Sequence, residues 1–418
     1  MTSRRQWTSG LLDQGVVAAA GAGNGLLATA VLPPDRAGAV MASIATVHVA
    51  IGLCRAFIGD VLLTHASRYP QTTARRLHGD AAATALTCGI IVAGGFAVLS
   101  WAWPDGPLAP LRRVAPFLPV ILLHDTARHS LQAQRRQDRA LAVDLVWITV
   151  QAVVLVAQAA TTDITGGGML AAWGIGAGAA AVAHLLRGGT PPWHGRPHRW
   201  LTATGKLSGW FTGTALIGQT QAQLIALAVP VLLGPAGYAG LRLAQLVILQ
   251  PVQNLVLASM GILVPRTAAA AAAGDTTAVR HQTRTTLVVA LGLSVVVILG
   301  SVIAVRPVLE WYRDGAYTDI APLVWPVSIQ AAVYLMQIPF TAALRGTQAG
   351  ARLFTQYALF TTISLAGAMI GARTGGPTGT AWGLTVAAVC GGAAMAGLSH
   401  SPLRRPPVQL RPFSDNSR

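Results

Sequence analysis

The chain has 418 residues, of which 53% are hydrophobic and 11% are charged. Soluble domains carry roughly 25% charged residues, so this composition excludes a water-soluble globular protein. The formal net charge of +16 would also suit a nucleic-acid-binding protein, so the positions of the basic residues must decide between these interpretations.

Membrane-spanning helices need about 20 consecutive apolar residues, and the chain contains two sets of six such stretches. The first six lie near residues 9–32, 38–62, 81–103, 114–133, 141–162 and 166–186. The second six lie near residues 206–229, 236–264, 285–305, 321–344, 353–372 and 377–398. We therefore predict an all-α membrane protein of about 12 transmembrane helices. Its predicted parts are an N-terminal six-helix lobe (1–190), a cytoplasmic linker (191–205), a C-terminal six-helix lobe (206–398) and a disordered cytoplasmic tail (399–418).

The basic residues alternate from loop to loop. If the N-terminus is cytoplasmic, the cytoplasmic segments hold 21 of the 30 Lys and Arg residues, the outer loops hold 6 and the spans hold 3. This bias follows the positive-inside rule and predicts a multi-pass protein with both termini in the cytoplasm. It also explains the basic charge without any nucleic acid. The excess of Arg over Lys and of Ala is typical of a GC-rich bacterial genome, so we predict the bacterial cytoplasmic membrane as the location.

The two halves show a weak but ordered internal repeat. The fourth predicted helix opens with Ala115 and Pro116, and the tenth opens with Ala321 and Pro322. A parallel repeat of two pseudo-symmetric lobes around a central cavity is therefore expected. Chance similarity of proline-rich turns is the alternative.

Ionisable residues inside the spans are the candidate functional residues, because burying a charge in the bilayer costs roughly 2.5 to 3.5 kcal/mol. They are Asp13, Arg55, Asp60, Asp125, Arg128, Asp144 and Arg242. Helical spacing predicts that His124 and Arg128 share one face and that Asp125 pairs with Arg128. A purely structural ion-pair network explains the cluster about as well as a substrate site does.

Other arrangements are less specific. His194 and His198 have helical spacing, but Gly195 and Pro197 between them oppose a helix, so no metal site is expected. No cofactor is expected either, and no catalytic arrangement is recognised, so the chain is interpreted as a non-enzyme.

Several segments resemble the bacterial polysaccharide and O-antigen flippase-like proteins of the multidrug, oligosaccharidyl-lipid and polysaccharide flippase superfamily. They include residues 12–14, 55–63 and 241–245, together with Pro116, Asp125, Arg128, Arg139, Asp144, Trp147 and Pro251. The resemblance implies two six-helix lobes that move an undecaprenyl-diphosphate-linked glycan outward by alternating access.

The leading functional hypothesis is accordingly a secondary transporter that flips or exports a lipid-linked saccharide. The expected substrate-binding residues are Arg55, Arg128, Arg242, His48 and His124, and the expected gating or ion-coupling residues are Asp13, Asp60, Asp125 and Asp144. The main alternative is a cation-coupled exporter of a drug or small natural product. A polyprenyl-phosphate-modifying enzyme and a non-transporting assembly partner are further alternatives. The expected partners are the lipid-linked glycan or amphiphilic small molecule and membrane lipids, and the protein is expected to be a monomer.

Overall fold

The computed structural model describes residues 3–400, apart from residues 70, 103, 105–108, 163 and 312–317. Within these ranges the chain forms helices joined by short turns, with no strand. The α-helices are α1 (Ser3–Val31), α2 (Pro34–Cys54), α3 (Asp60–His65), α4 (Gln71–Ala102), α5 (Leu111–Val114), α6 (Leu118–Ala133), α7 (Gln137–Thr161), α8 (Gly166–Leu186), α9 (Pro197–Ala244), α10 (Gln250–Ala272), α11 (Thr276–Trp311), α12 (Val324–Gly346) and α13 (Gly350–His400). The predicted tail lies outside the described residues from residue 401 onward.

Some of these helices continue end to end and others are divided by a kink, so the described chain forms the expected twelve helical rods. A π-helical turn, Arg55–Gly59, joins α2 to α3. A second one, Gln245–Leu249, joins the end of α9 to α10. Non-helical backbone at Gly234 divides α9, and Gly375 with Gly376 divides α13. In the described residues, 8 stretches are long and apolar enough to cross a membrane, and one of them is the whole divided α13. The all-α prediction is confirmed.

Many large apolar side chains lie exposed on the surface of this protein, while several charged side chains are buried. On α7, the side chain of Asp144 is fully buried, whereas Val156 is 69% exposed. Likewise Ile91 on α4 and Ile303 on α11 are largely exposed. Apolar side chains on the outside and polar side chains inside are the arrangement that a lipid solvent favours.

The chain divides into two compact units, with the boundary between Thr212 and Gly213. In the first unit α4 packs against α6, and α7 packs against both α1 and α8. In the second unit α12 is central, because α10, α11 and α13 all pack against it.

The internal repeat is visible in the local backbone. The short 3₁₀ turn Ala115–Phe117 leads into α6, and the 3₁₀ turn Thr318–Leu323 leads into α12. The turns that follow these two helices each contain a non-glycine residue with positive φ, Arg135 at 60° and Gln348 at 58°. The expected similarity of the two halves therefore extends beyond the proline motif.

Close packing of small residues holds the two segments of α13 together. A Cβ atom on Gly371 would collide with the carbonyl group of Gly379, and one on Gly367 would collide with that of Gly383. The first segment of α13 therefore carries Gly367 and Gly371, and the second carries Gly379 and Gly383. This four-residue spacing of small residues lets membrane helices approach closely. The glycine-rich composition is explained at this point by direct backbone contact.

Candidate functional site

Helix α6 is the most polar buried element of the first unit. Residues Ile121–Ala133 of this helix are all buried, and they include His124, Asp125, Arg128 and His129. Neighbouring helices cover the whole circumference of α6 here, so its charged groups need partners from those helices.

Arg128 lies at the centre of the interactions. Its Nη2 atom donates a hydrogen bond to Oδ2 of Asp13 on α1 at 2.9 Å. Its Nε atom lies 2.6 Å from Oδ2 of Asp144 on α7, and its Nη1 atom lies 3.7 Å from Oδ1 of Asp125. The guanidinium group therefore has three carboxylates within ion-pair distance, and their side chains come from three helices.

Arg55, on the rod formed by α2 and α3, binds the same cluster. It donates to both oxygens of Asp125, from Nη2 at 2.7 Å and from Nε at 3.4 Å. Arg55 begins the π-helical turn, and such turns occur frequently at functional sites. Gly59 ends this turn, and a Cβ atom there would lie 2.8 Å from the ring of His129. The absence of a side chain at Gly59 thus allows the turn to pack against α6.

Further polar side chains complete the surroundings of two of the carboxylates. Nε2 of His124 lies 3.1 Å from Oδ1 of Asp144, and the His124 ring packs against Trp147 at 5.5 Å between centroids. Gln14 and Gln132 both donate to Oδ2 of Asp13, at 3.3 and 3.5 Å. The other oxygen of Asp13, Oδ1, is buried and has no hydrogen-bond partner among the described residues.

A further polar contact continues along α7. Gln151 lies seven residues after Asp144, on the same face of the helix. Its amide group donates to the side chain of Asn24 on α1 at 2.6 Å. Asp144 and Gln151 of α7 therefore face α1 and not the lipid.

We call the connected charged residues the Arg128 network: Asp13, Arg55, His124, Asp125, Arg128 and Asp144. Its three carboxylates and two guanidinium groups sum to a charge of −1 when His124 is neutral. All six residues were predicted as site residues, and the structure brings them together in the first unit.

The other three predicted site residues, His48, Asp60 and Arg242, are not among the six residues of the Arg128 network. His48 on α2 stacks on Trp173 of α8, with ring centroids 5.3 Å apart, and its Nδ1 atom contacts the carbonyl oxygen of Ile44. Asp60 begins α3 and is half-buried. Arg242 belongs to the second unit, is exposed, and donates to Gln245 at 3.2 Å.

Two of the polar contacts are not among those predicted from the sequence. His129 lies 3.6 Å from Asp125 through Nδ1, and its position four residues after Asp125 could have indicated this contact. The partnership of Asn24 with Gln151 joins residues 127 positions apart, and no local signal reveals it.

The second unit is polar but uses neutral hydrogen bonds. Gln221 donates to Ser364 at 2.7 Å, and Gln356 donates to the carbonyl oxygen of Gly391 at 3.1 Å. Among the described residues of both units, no group of three or more His, Cys, Asp or Glu side chains is placed to hold a metal ion. Of the seven ionisable residues predicted to lie inside the spans, six belong to the first unit and Arg242 belongs to the second.

Comparison with solved structures identifies the fold. The chain is similar to a mutant of VcmN, a MATE transporter from Vibrio cholerae, with a TM-score of 0.82, 15% sequence identity and coverage of 96% of both chains. It is similar to a MOP superfamily transporter from Pyrococcus furiosus described as having a binding pocket of reversed polarity, with a TM-score of 0.73 and 12% identity over 94% of this chain and 95% of that one. An outward-facing multidrug-resistance MATE transporter gives a TM-score of 0.74 and 11% identity, with coverage of 94% and 95%.

The chain has the MATE fold. No protein-family model and no curated protein matches the sequence. The solved structures are transporters of the superfamily that the sequence resembles, so the expected twelve-helix, two-lobe fold class is confirmed. These structures do not distinguish the polysaccharide branch from the drug-exporting branch.

Proposed function

We propose that the protein is a secondary transporter that flips or exports a lipid-linked saccharide across the bacterial cytoplasmic membrane by alternating access. The observation that carries this proposal is the Arg128 network, which joins four helical rods through largely buried ion pairs. Intramembrane ionisable residues that face the protein interior are functional candidates by default, since their burial costs free energy that packing alone does not require.

The network is suited to exchanging partners. Arg128 has three carboxylates within 4.0 Å, so loss of charge on one of them leaves the guanidinium group with two others. Asp13 also has an oxygen atom without a partner among the described residues, where a proton can bind without displacing a hydrogen bond. Protonation of Asp13 would free α1 from Arg128 and change the free-energy difference between two conformations. We therefore assign Asp13 and Asp144 to ion coupling, with Arg128 as the residue that changes partner.

Arg55 is the residue in the network best placed to meet a substrate. Its side chain is 30% exposed, whereas that of Arg128 is only 5% exposed. Asp125 has Arg128 and His129 as additional neighbours, so Arg55 can leave it for a phosphate group without stranding a buried charge. A guanidinium group can bind two oxygens of a phosphate group at once, as it binds the two oxygens of a carboxylate. We assign Arg55 to the diphosphate of the lipid-linked substrate.

A cation-coupled exporter of a drug or natural product is the second candidate, and one observation favours it. With Asp13 ionised and His124 neutral, the Arg128 network has an excess of one negative charge, which attracts a cation more readily than an anion. In this alternative Asp125 binds the substrate and Arg55 competes with it.

Transport in inside-out vesicles distinguishes the two candidates. The substrates are a fluorescent undecaprenyl-diphosphate sugar and a fluorescent cationic dye, and the variant is Arg55→Ala, with Arg284→Ala on the exposed face of α11 as the matched control. Loss of a charge-assisted hydrogen bond worth about 1.5 to 3 kcal/mol predicts a decrease of about tenfold or more in lipid-linked sugar transport. Unchanged sugar transport by Arg55→Ala would refute the assignment. If no form of the protein transports the sugar and Arg55→Ala changes dye transport, the second candidate is favoured.

A further inference from the structure

A separate basic pocket lies at one end of the first unit, where the chain enters α4, passes from α6 to α7, and leaves α8. Its volume is about 450 Å³, within the range of pockets that bind small molecules. Five arginines line it, and no described lining residue is acidic; they are Arg75, Arg135, Arg136, Arg139 and Arg187.

Three distant segments bring these arginines together. Arg75 lies at the start of α4, and Arg187 is the C-cap residue of α8. Between them in sequence, the α6–α7 turn supplies Arg135 and Arg136, and the first turn of α7 supplies Arg139. Arg135 has a positive φ of 60°, and Arg136 is the N-cap residue of α7 without a side-chain cap hydrogen bond. The pocket is therefore produced by the packing of the unit and not by one basic stretch.

The five guanidinium groups differ from those of the Arg128 network in having no counter-charge. All five residues are exposed, and in the part of the chain that the structure describes no hydrogen bond or ion pair involves their side chains. Five positive groups around one cavity repel one another, and an anion in the cavity would remove that repulsion. The arrangement is thus incomplete without a negatively charged ligand.

Neutral polar groups line the same pocket. His78 and His184 both contribute to its wall, as do Tyr69 and Thr190. Nδ1 of His78 is fixed by a 2.9 Å hydrogen bond with the hydroxyl group of Ser130. The N-terminus of α7, which Arg136 precedes as the N-cap residue, adds the positive end of a helix dipole. These groups suit an anion with several acceptor oxygens.

We propose that this pocket binds a phosphate group. Arginine forks match phosphate oxygens bidentately, and a cluster of them at the ends of membrane helices is the pattern that binds anionic lipid headgroups. The charge distribution predicts that this end of the unit faces the cytoplasm, where both phospholipid headgroups and soluble phosphate compounds are present. The proposal is independent of the transported substrate, because the pocket shares no residue with the Arg128 network.

Binding measurements on the purified full-length protein test the proposal. One arm titrates phosphatidylglycerol against the detergent-solubilised protein and measures bound lipid by native mass spectrometry. The other arm titrates inorganic pyrophosphate and measures heat by calorimetry. The test variant is Arg136→Gln with Arg139→Gln. The control is Arg280→Gln with Arg284→Gln, which removes two exposed arginines from α11.

Each arginine near a membrane surface contributes about fivefold to binding, so we expect the pocket variant, which lacks two, to bind about 25-fold more weakly. The control should change binding less than about twofold. Weaker phosphatidylglycerol binding by the pocket variant identifies a lipid headgroup as the ligand. Weaker pyrophosphate binding alone identifies a soluble phosphate compound. Equal binding by the pocket and control variants, or no binding of either probe to the wild-type protein, would overturn the proposal. The Arg136→Lys with Arg139→Lys variant keeps the charge and is expected to lose only part of the affinity, because lysine lacks the bidentate fork.

Discussion

Replacement of Arg128 by leucine removes the centre of the buried network and leaves its carboxylates without their cation. Asp13 would keep only the amide donors of Gln14 and Gln132, at 3.3 and 3.5 Å, and Asp144 would keep only His124 at 3.1 Å. Their side chains are 2% and 0% exposed, so water cannot replace the lost partner.

Removing one partner of a buried ion pair typically costs 3 to 5 kcal/mol. Because two nearly inaccessible carboxylates lose the same cation, we expect Arg128→Leu to lower the free energy of unfolding by about 5 kcal/mol. Arg55→Leu should cost only about 1 to 2 kcal/mol, since its pair is partly exposed and Asp125 keeps Arg128 as a neighbour. Arg128→Lys is expected to fall between these variants, because an ammonium group keeps the charge but cannot contact three carboxylates in fixed geometry.

The assay is reversible unfolding of the purified protein by titration of sodium dodecyl sulfate into mixed micelles. Arg128→Leu is expected to be the most destabilised of the three variants. A change below about 1 kcal/mol for Arg128→Leu would show that these ion pairs do not hold the four rods together.

Two glycine contacts give further expectations. A Cβ atom in Gly59→Ala would press on the ring of His129 at 2.8 Å, so we expect a loss of about 1 to 3 kcal/mol in the same titration. Gly15→Ala, where nothing lies within 4 Å, is the matched control and should not lower stability; alanine is the better helix former, so a gain of up to about 1 kcal/mol is expected. Gly371→Val should prevent the contact with the backbone of Gly379 and abolish accumulation of folded protein, as judged by gel-filtration profiles of a fluorescent fusion. A normal profile for Gly371→Val would contradict the proposed packing of the two segments.

The number of rods could be predicted from apolar windows, but their ends could not. The third predicted span starts at residue 81, whereas α4 starts at Gln71. Its first turns contain Arg75 and Arg76, which lie beyond the apolar window but continue the helix. A hydropathy window reports only the stretch of residues that tolerates lipid. A helix that projects from the membrane is longer than that stretch.

The membership of the buried cluster could also be predicted, but the pairing could not. Helical spacing favours Asp125 as the partner of Arg128, and these groups are 3.7 Å apart. The shorter contacts of Arg128 are with Asp13 and Asp144, while Asp125 binds Arg55 at 2.7 Å. Local spacing reports neighbours on one helix, and the choice among partners depends on how four rods pack.

The basic pocket could not be predicted from local sequence either. Arg75, Arg136 and Arg187 each contribute to the count that predicts orientation, and that count treats them as separate loops. Only the packing of α4, α7 and α8 brings them around one cavity.

Asp13 provides the most direct test of the central claim that the Arg128 network couples transport to protons. Asn at this position imitates the protonated carboxyl group, and Arg128 keeps Asp144 at 2.6 Å, so the fold should persist. The measurement is the ratio of transport rates with and without a pH gradient in proteoliposomes, for Asp13→Asn and for the control Asp275→Asn in the exposed turn before α11. We expect a ratio well above one for the wild type and the control and a ratio of one for Asp13→Asn. A gradient-dependent ratio in Asp13→Asn equal to that of the wild type would contradict the account.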